Sequence, residues 1–144
     1  MTGEESTSGA LDLATLNVLA RRANAHPLGA GWVYRPDPIS PRRLEVSLDA
    51  SQYPHEVEEV RLDIRWFEGG DHTFHYIETH GETVWQCRWD RHPKPEAPRA
   101  HFHPPPTASA EVEASRLDEE HHVGVLFAVL AWIESRIETI YDNQ

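Results

Sequence analysis

Three consecutive β-strands are predicted for residues 60–89, VRLDIRWFEGGDHTFHYIETHGETVWQCRW. Apolar and polar side chains alternate over residues 60–67, which is the pattern of a strand with one buried face. Two short glycine-containing segments, 68–71 and 80–82, follow the first and second strands and predict hairpin turns. Turns this short join antiparallel strands, because a parallel connection needs roughly a dozen residues or more. The stretch therefore predicts a β-meander.

Outward from this meander, the chain predicts two more strands and two main helices. Short strands are expected at residues 32–34, which are aromatic and β-branched, and at residues 44–48, where apolar side chains again alternate with polar ones. Apolar residues recur at helical spacing over about residues 10–25 and 119–141. A shorter helix is also suggested at residues 109–117. The apolar stripe of the last helix is wide, so it either packs on the core or serves as a dimer or partner surface.

The predicted fold class is α+β. It combines an N-terminal helix, an antiparallel β-meander of about five strands, and a long C-terminal helix packed on one face. Residues 1–9 are polar and predict a flexible tail, and residues 10–144 suit a single domain, since domains run to roughly 100–200 residues. Six prolines among residues 92–106 predict a long exposed connection without regular structure.

Composition excludes several classes of protein. The 144 residues include 24 acidic and 13 basic ones, a formal charge of −11, which argues against indiscriminate binding to nucleic acid or an anionic membrane. A single cysteine, Cys87, excludes an internal disulfide and a multi-thiolate zinc cluster, and it fits a reducing cytoplasm. Neither a targeting segment nor an apolar run of about 20 residues is present, so a cytoplasmic protein without a membrane span is expected. Glycine-rich phosphate loops and serine-hydrolase elbows are also missing from the sequence.

One segment departs from the general acidity. The segment from Arg88 to His103 contains four basic and two acidic residues, a net charge of +2, whereas the rest of the chain carries −13. A cationic strip on an acidic protein is where an anion, and especially a phosphate such as that of RNA, would bind. The candidate phosphate-binding residues are Arg88, Arg91 and Arg99.

The same segment contains the candidate chemical residues Asp90, His92, His101 and His103. Histidines can transfer protons to and from a phosphodiester while arginine stabilises the developing charge, as in a metal-independent ribonuclease. Imidazoles on alternate residues of an extended chain can also bind one metal ion, with His92, His101 and His103 as ligands. A third interpretation is that these histidines are surface residues of a loop and have no chemical role.

The segment resembles the TumE-like toxin family of prokaryotic toxin–antitoxin pairs over about residues 60–103. An aromatic strand runs into Arg88-Trp89-Asp90-Arg91-His92-Pro93, and His101-Phe102-His103-Pro104 follows some ten residues later. Family members typically have asparagine where Arg91 stands, and their paired histidines are here split by Pro93 and Phe102. The resemblance implies a cytoplasmic toxin encoded beside a DNA-binding antitoxin, with Asp90 and the nearby histidines at its centre. The alternatives are a non-catalytic interaction protein and a metal-binding protein.

Lys94 is the only lysine, and this scarcity combined with the acidity favours a halophilic source. The alternative is a GC-rich genome that favours arginine codons, with the acidity incidental. Acidic surfaces stay hydrated in concentrated salt, where charge repulsion is screened. We therefore expect the denaturant midpoint of unfolding to be higher in multimolar salt than in low salt. Chemical unfolding at both salt concentrations checks this, and equal stability in the two would contradict it.

Overall fold

A computed structural model describes residues 9–92 and 100–144. The elements in chain order are α1 Leu13–Ala25, β1 Gly29–Arg35, β2 Arg43–Leu48, a short 3₁₀ helix Ala50–Gln52, β3 Glu59–Trp66, β4 His72–His80, β5 Thr83–Arg91, β6 Ala100–His103, β7 Glu113–Ala114 and α2 His122–Asp142. The seven strands form one sheet in chain order, each antiparallel to its neighbour. The predicted α+β class, the meander and the two long helices are confirmed.

The prediction of about five strands was too low. Strand β6 lies within residues 92–106, which were predicted as an exposed connection, and β7 lies within residues 109–117, where a short helix was suggested. Strands of four and two residues are too short for periodicity to reveal them, and they form because β5 offers an unpaired edge. Residues 1–8 of the predicted flexible tail lie outside the described residues.

Both helices cover one face of the sheet. The helix residues that enter the core are Leu16, Leu19, Ala20 and Ala23 of α1, and Val125, Leu126, Val129, Leu130, Ile133 and Ile140 of α2. Trp132 of α2 meets Trp89 of β5 edge to face, with ring centroids 4.9 Å apart. Cys87 lies on this covered face, and burial raises the pKa of its thiol. The expected packing of the C-terminal helix on one face is thereby confirmed.

The opposite face of the sheet carries polar and charged side chains. Since side chains alternate along a strand, the residues between the core positions of β3, which include Arg61 and Asp63, point away from the helices. Across neighbouring strands the register pairs Asp63 with His75, His75 with Arg88, and Arg88 with His103. We call this polar side of the sheet the open face.

A buried charged pair ties α2 to the sheet. Glu78 is fully buried, and Arg136 donates two hydrogen bonds of 2.8 Å to its two carboxylate oxygens. The Tyr76 hydroxyl donates a third, and His80 Nε2 lies 2.8 Å from the same carboxylate. Burial alone would raise the pKa of Glu78, but the hydrogen bonds from Arg136, Tyr76 and His80 outweigh it and lower that pKa.

Within residues 9–92 and 100–144, no helix has the length and apolar character that crossing a bilayer requires.

Replacing Arg136 by leucine should destabilise the fold strongly. The substitution leaves the Glu78 carboxylate buried without its charged partner, a change that typically costs about 3–5 kcal/mol. Urea unfolding of Arg136→Leu, compared with Glu138→Gln at an exposed position of α2, measures the difference. Equal midpoints for the two variants would show that the pair contributes little.

Candidate functional site

The open face of the sheet forms a groove of about 420 Å³. Its wall contains four arginines and two aspartates, so the groove is net positive on a protein whose formal charge is −11. The lining residues are Arg43, Arg61, Asp63, Arg65, Thr73, His75, Ile77, Arg88, Asp90 and His92. A concave cationic surface of this size fits an anionic ligand.

Asp63 neutralises only part of the arginine charge. Its carboxylate lies 3.5 Å from Arg43 Nε and 3.3 Å from Arg61 Nε, so one negative charge is shared between two guanidinium groups. Both arginine side chains remain about one-third exposed. Positive charge is therefore left over for a bound anion, and guanidinium forks suit phosphate oxygens particularly well.

The groove ends at four residues that we call the Asp–His cluster: Asp90, His92, His101 and His103. One carboxylate oxygen, Asp90 Oδ2, lies 2.9 Å from His103 Nε2 and 3.8 Å from Nε2 of both His92 and His101. Arg88 Nε donates a hydrogen bond of 3.0 Å to the same oxygen. Three imidazoles and one guanidinium thus converge on a single carboxylate.

Strand pairing explains this convergence. Asp90 of β5 is the direct partner of His101 of β6, and Arg88 is the partner of His103. Residues two apart on each strand share the open face, so the four side chains collect on one side of the sheet. Asp90, His101 and His103 are buried, whereas the His92 side chain is 21% exposed. The surface-loop interpretation of His101 and His103 was therefore wrong.

Not every candidate from the sequence lies at the groove. Arg91 alternates to the covered face, where it pairs across strands with His72 and lies 3.7 Å from Asp71. Arg99 lies outside the described residues. Arg88 does line the groove.

Sequence reasoning missed three of the groove's arginines. Arg43, Arg61 and Arg65 are far from the histidine-rich segment in sequence, and antiparallel pairing brings them beside it. The sequence did contain a signal for Arg61 and Arg65. They alternate with the apolar residues of β3 and therefore lie on the other face of that strand. His75 also lines the groove, and its Nε2 lies 2.7 Å from Gln86 Oε1. Burial lowers the pKa of His75, the hydrogen bond with Gln86 opposes that effect, and the charge of Arg88 adds to it.

The backbone of the following segment orients the ring of His103. Its Nδ1 lies 2.8 Å from the carbonyl oxygen of Ser109, which can only accept a hydrogen bond. Nδ1 therefore carries a proton, and Nε2 is the nitrogen that faces Asp90. Ligand atoms of Asp90, His101 and His103 all lie within 4.8 Å of one another. Such a set can transfer protons or hold a metal ion.

Fold and site together define an α+β protein with one helix-covered sheet face and one cationic face ending in an Asp–His cluster. The family model described as Toxin TumE matches residues 19–137, from within α1 to within α2. The chain therefore belongs to the Toxin TumE family. The match confirms the resemblance seen at residues 60–103 and extends it over most of the chain. Comparisons with curated proteins and with solved structures gave no match.

Tripolyphosphate should bind in the groove, and removing two of its arginines should weaken that binding. We expect the double variant Arg61→Gln/Arg65→Gln to bind at least about tenfold more weakly at low salt, since each hydrogen bond to a charged group contributes about 1.5–3 kcal/mol. The matched control is Arg21→Gln/Arg22→Gln, which removes two exposed arginines from α1. Calorimetric titration measures both, and equal losses would show that the anion does not bind in the groove.

Proposed function

We propose that this toxin binds RNA in the arginine groove and cleaves it at the Asp–His cluster. One observation carries the proposal: three imidazoles and Arg88 meet at the Asp90 carboxylate, at the end of a positive groove on an otherwise acidic protein. Membership of a toxin family supports a harmful activity against a cellular target, and the groove's charge supports a phosphate-bearing one.

The arginines would hold the phosphates. Arg88 is anchored through Nε to Asp90, which leaves its terminal nitrogens for a phosphate oxygen next to the cluster. Arg61 and Arg65 lie further along the groove, on β3, where they would hold a neighbouring phosphate of the same strand. A guanidinium placed before the reaction also stabilises the charge that develops on phosphorus oxygens in the transition state.

The four residues of the Asp–His cluster differ in burial, and the proposal gives them different roles for that reason. His92 and Asp90 line the groove, so they are the members that bound RNA would meet. His101 is fully buried and His103 nearly so, which means that they act through Asp90 rather than on the RNA directly. The sequence-based assignment of all four residues to the chemistry is kept in this proposal, with His92 and Asp90 in contact with the substrate.

A cognate antitoxin is the partner that family membership supports. The alternative of a non-catalytic interaction protein, docking a partner or a second copy through α2, has less support. Six apolar residues of the α2 stripe are buried against the rest of the fold, and Phe127 and Tyr141 are the large apolar side chains of α2 that remain well exposed. The wide stripe is thus explained by packing.

Growth and RNA integrity after induced expression test the proposed function. The parent chain should arrest growth and degrade RNA, and His92→Ala should cleave at least about 100-fold more slowly, since positioned proton-transfer groups contribute about 10²–10⁴-fold and His92 lines the groove. Arg88→Gln should weaken RNA binding as well as cleavage. His55→Ala, which alters a fully exposed histidine, is the matched control and should behave like the parent.

Purified protein and a defined RNA complete the experiment. Far-UV circular dichroism establishes that each variant is folded before its rate is compared. A parent chain that neither arrests growth nor cleaves RNA would contradict the proposal, and so would a folded His92→Ala variant with the parent's rate.

A further inference from the structure

We infer that Asp90, His101 and His103 together bind one divalent transition-metal ion of the zinc class. The inference goes beyond the proposed function, because the ion would be resident whether or not RNA is cleaved. It would join β5 to β6, the strands that carry its ligands.

The donor set has the composition and spacing of a metal site. Two imidazoles and one carboxylate offer ligand atoms within 4.8 Å of one another, and all three residues are buried. Zinc bonds of about 2.0–2.2 Å place tetrahedral ligands about 3.3 Å apart, so small side-chain rotations would close the set around an ion. The distances from Asp90 Oδ2, 2.9 Å to His103 Nε2 and 3.8 Å to His101 Nε2, lie on either side of that separation.

The Ser109 carbonyl sets the direction in which His103 presents its lone pair. It accepts the Nδ1 proton of His103, so a neutral ring presents the Nε2 lone pair toward the Asp90 carboxylate. Two electron-rich atoms 2.9 Å apart in a buried site repel each other unless positive charge lies between them. In a metal-bound histidine one ring nitrogen binds the ion, and the other usually donates a hydrogen bond to a carboxylate, a backbone carbonyl or water. The bond from His103 Nδ1 to Ser109 is of this second kind.

A metal ion accounts for these contacts better than an extra proton does. A doubly protonated His103 would donate an aligned Nε2–H hydrogen bond to Asp90. Instead, within residues 9–92 and 100–144, His103 Nε2 lies 2.9 Å from Asp90 Oδ2 without the alignment of a hydrogen bond, and Asp90 Oδ1 is a buried atom that makes none. Buried polar atoms are costly without a partner, and one cation can satisfy both.

The chemistry of the donors selects the class of ion. Magnesium and calcium prefer oxygen ligands, whereas two of the three donors here are imidazole nitrogens. Two histidines and one carboxylate suit zinc and its first-row neighbours. Cys87 is not part of the set, because it lies on the helix-covered face of the sheet. The remaining coordination position would be filled by water or by His92, whose Nε2 lies 3.8 Å from Asp90 Oδ2.

Metal analysis of the full chain tests the inference, using protein from which any affinity tag has been removed. After dialysis against zinc and then buffer, we expect about one ion per chain in the parent and in His55→Ala. Asp90→Asn and His103→Ala should each bind zinc at least about tenfold more weakly, because even outer-shell changes cost 10–100-fold in metal affinity. Zinc should raise the thermal midpoint of the parent more than it raises that of either ligand variant.

Two results would overturn the inference. One is a parent chain that holds no zinc at micromolar free ion, and the other is zinc binding that is undiminished in both ligand variants. If the variants do not fold, cobalt(II) added to the parent decides, since a four-coordinate site with two imidazoles should absorb visible light much more strongly than the hydrated ion does. A parent chain that binds no zinc and still cleaves RNA would refute the metal site alone. A parent chain that binds zinc and has no effect on RNA would refute the proposed function alone.

Discussion

The two-residue alternation of the antiparallel sheet is the constraint on which the rest of the structure depends. Apolar side chains of β2 to β5 face α1 and α2, and the charged residues between them face the opposite side. A shift of one residue in the register of β3 would bury Arg61 and Asp63 under the helices and expose Leu62. Burial of one face therefore holds every open-face side chain in place, including those that form the groove.

The candidate site is a consequence of that register. Asp63, His75, Arg88 and His103 form one row across four strands, although 40 residues separate the first from the last in the sequence. The chain's formal charge of −11 is thus compatible with a positive groove, because charge is sorted by position on the sheet rather than averaged over the surface. The protein that carries this groove belongs to the Toxin TumE family.

Prediction from sequence succeeded where the periodic pattern was long. The alternation of β3, β4 and β5 and the helical spacing of α2 extend over enough residues to distinguish strand from helix. It failed at β6, where four residues beside a proline-rich stretch resemble a loop until the edge of β5 pairs with them. The same error made His101 look like a surface residue, whereas pairing with Asp90 buries it.

The sequence by itself determined the α+β class, the meander, the two long helices and the resemblance to the TumE-like toxins, because these depend on local pattern and short turns. It also placed Asp90, His92, His101 and His103 among the candidate residues. Only the tertiary structure decided that the three histidines meet at the Asp90 carboxylate and that Arg43, Arg61 and Arg65 complete the groove. Those outcomes depend on pairing between strands that are distant in sequence, and pairing of that kind leaves no local signal.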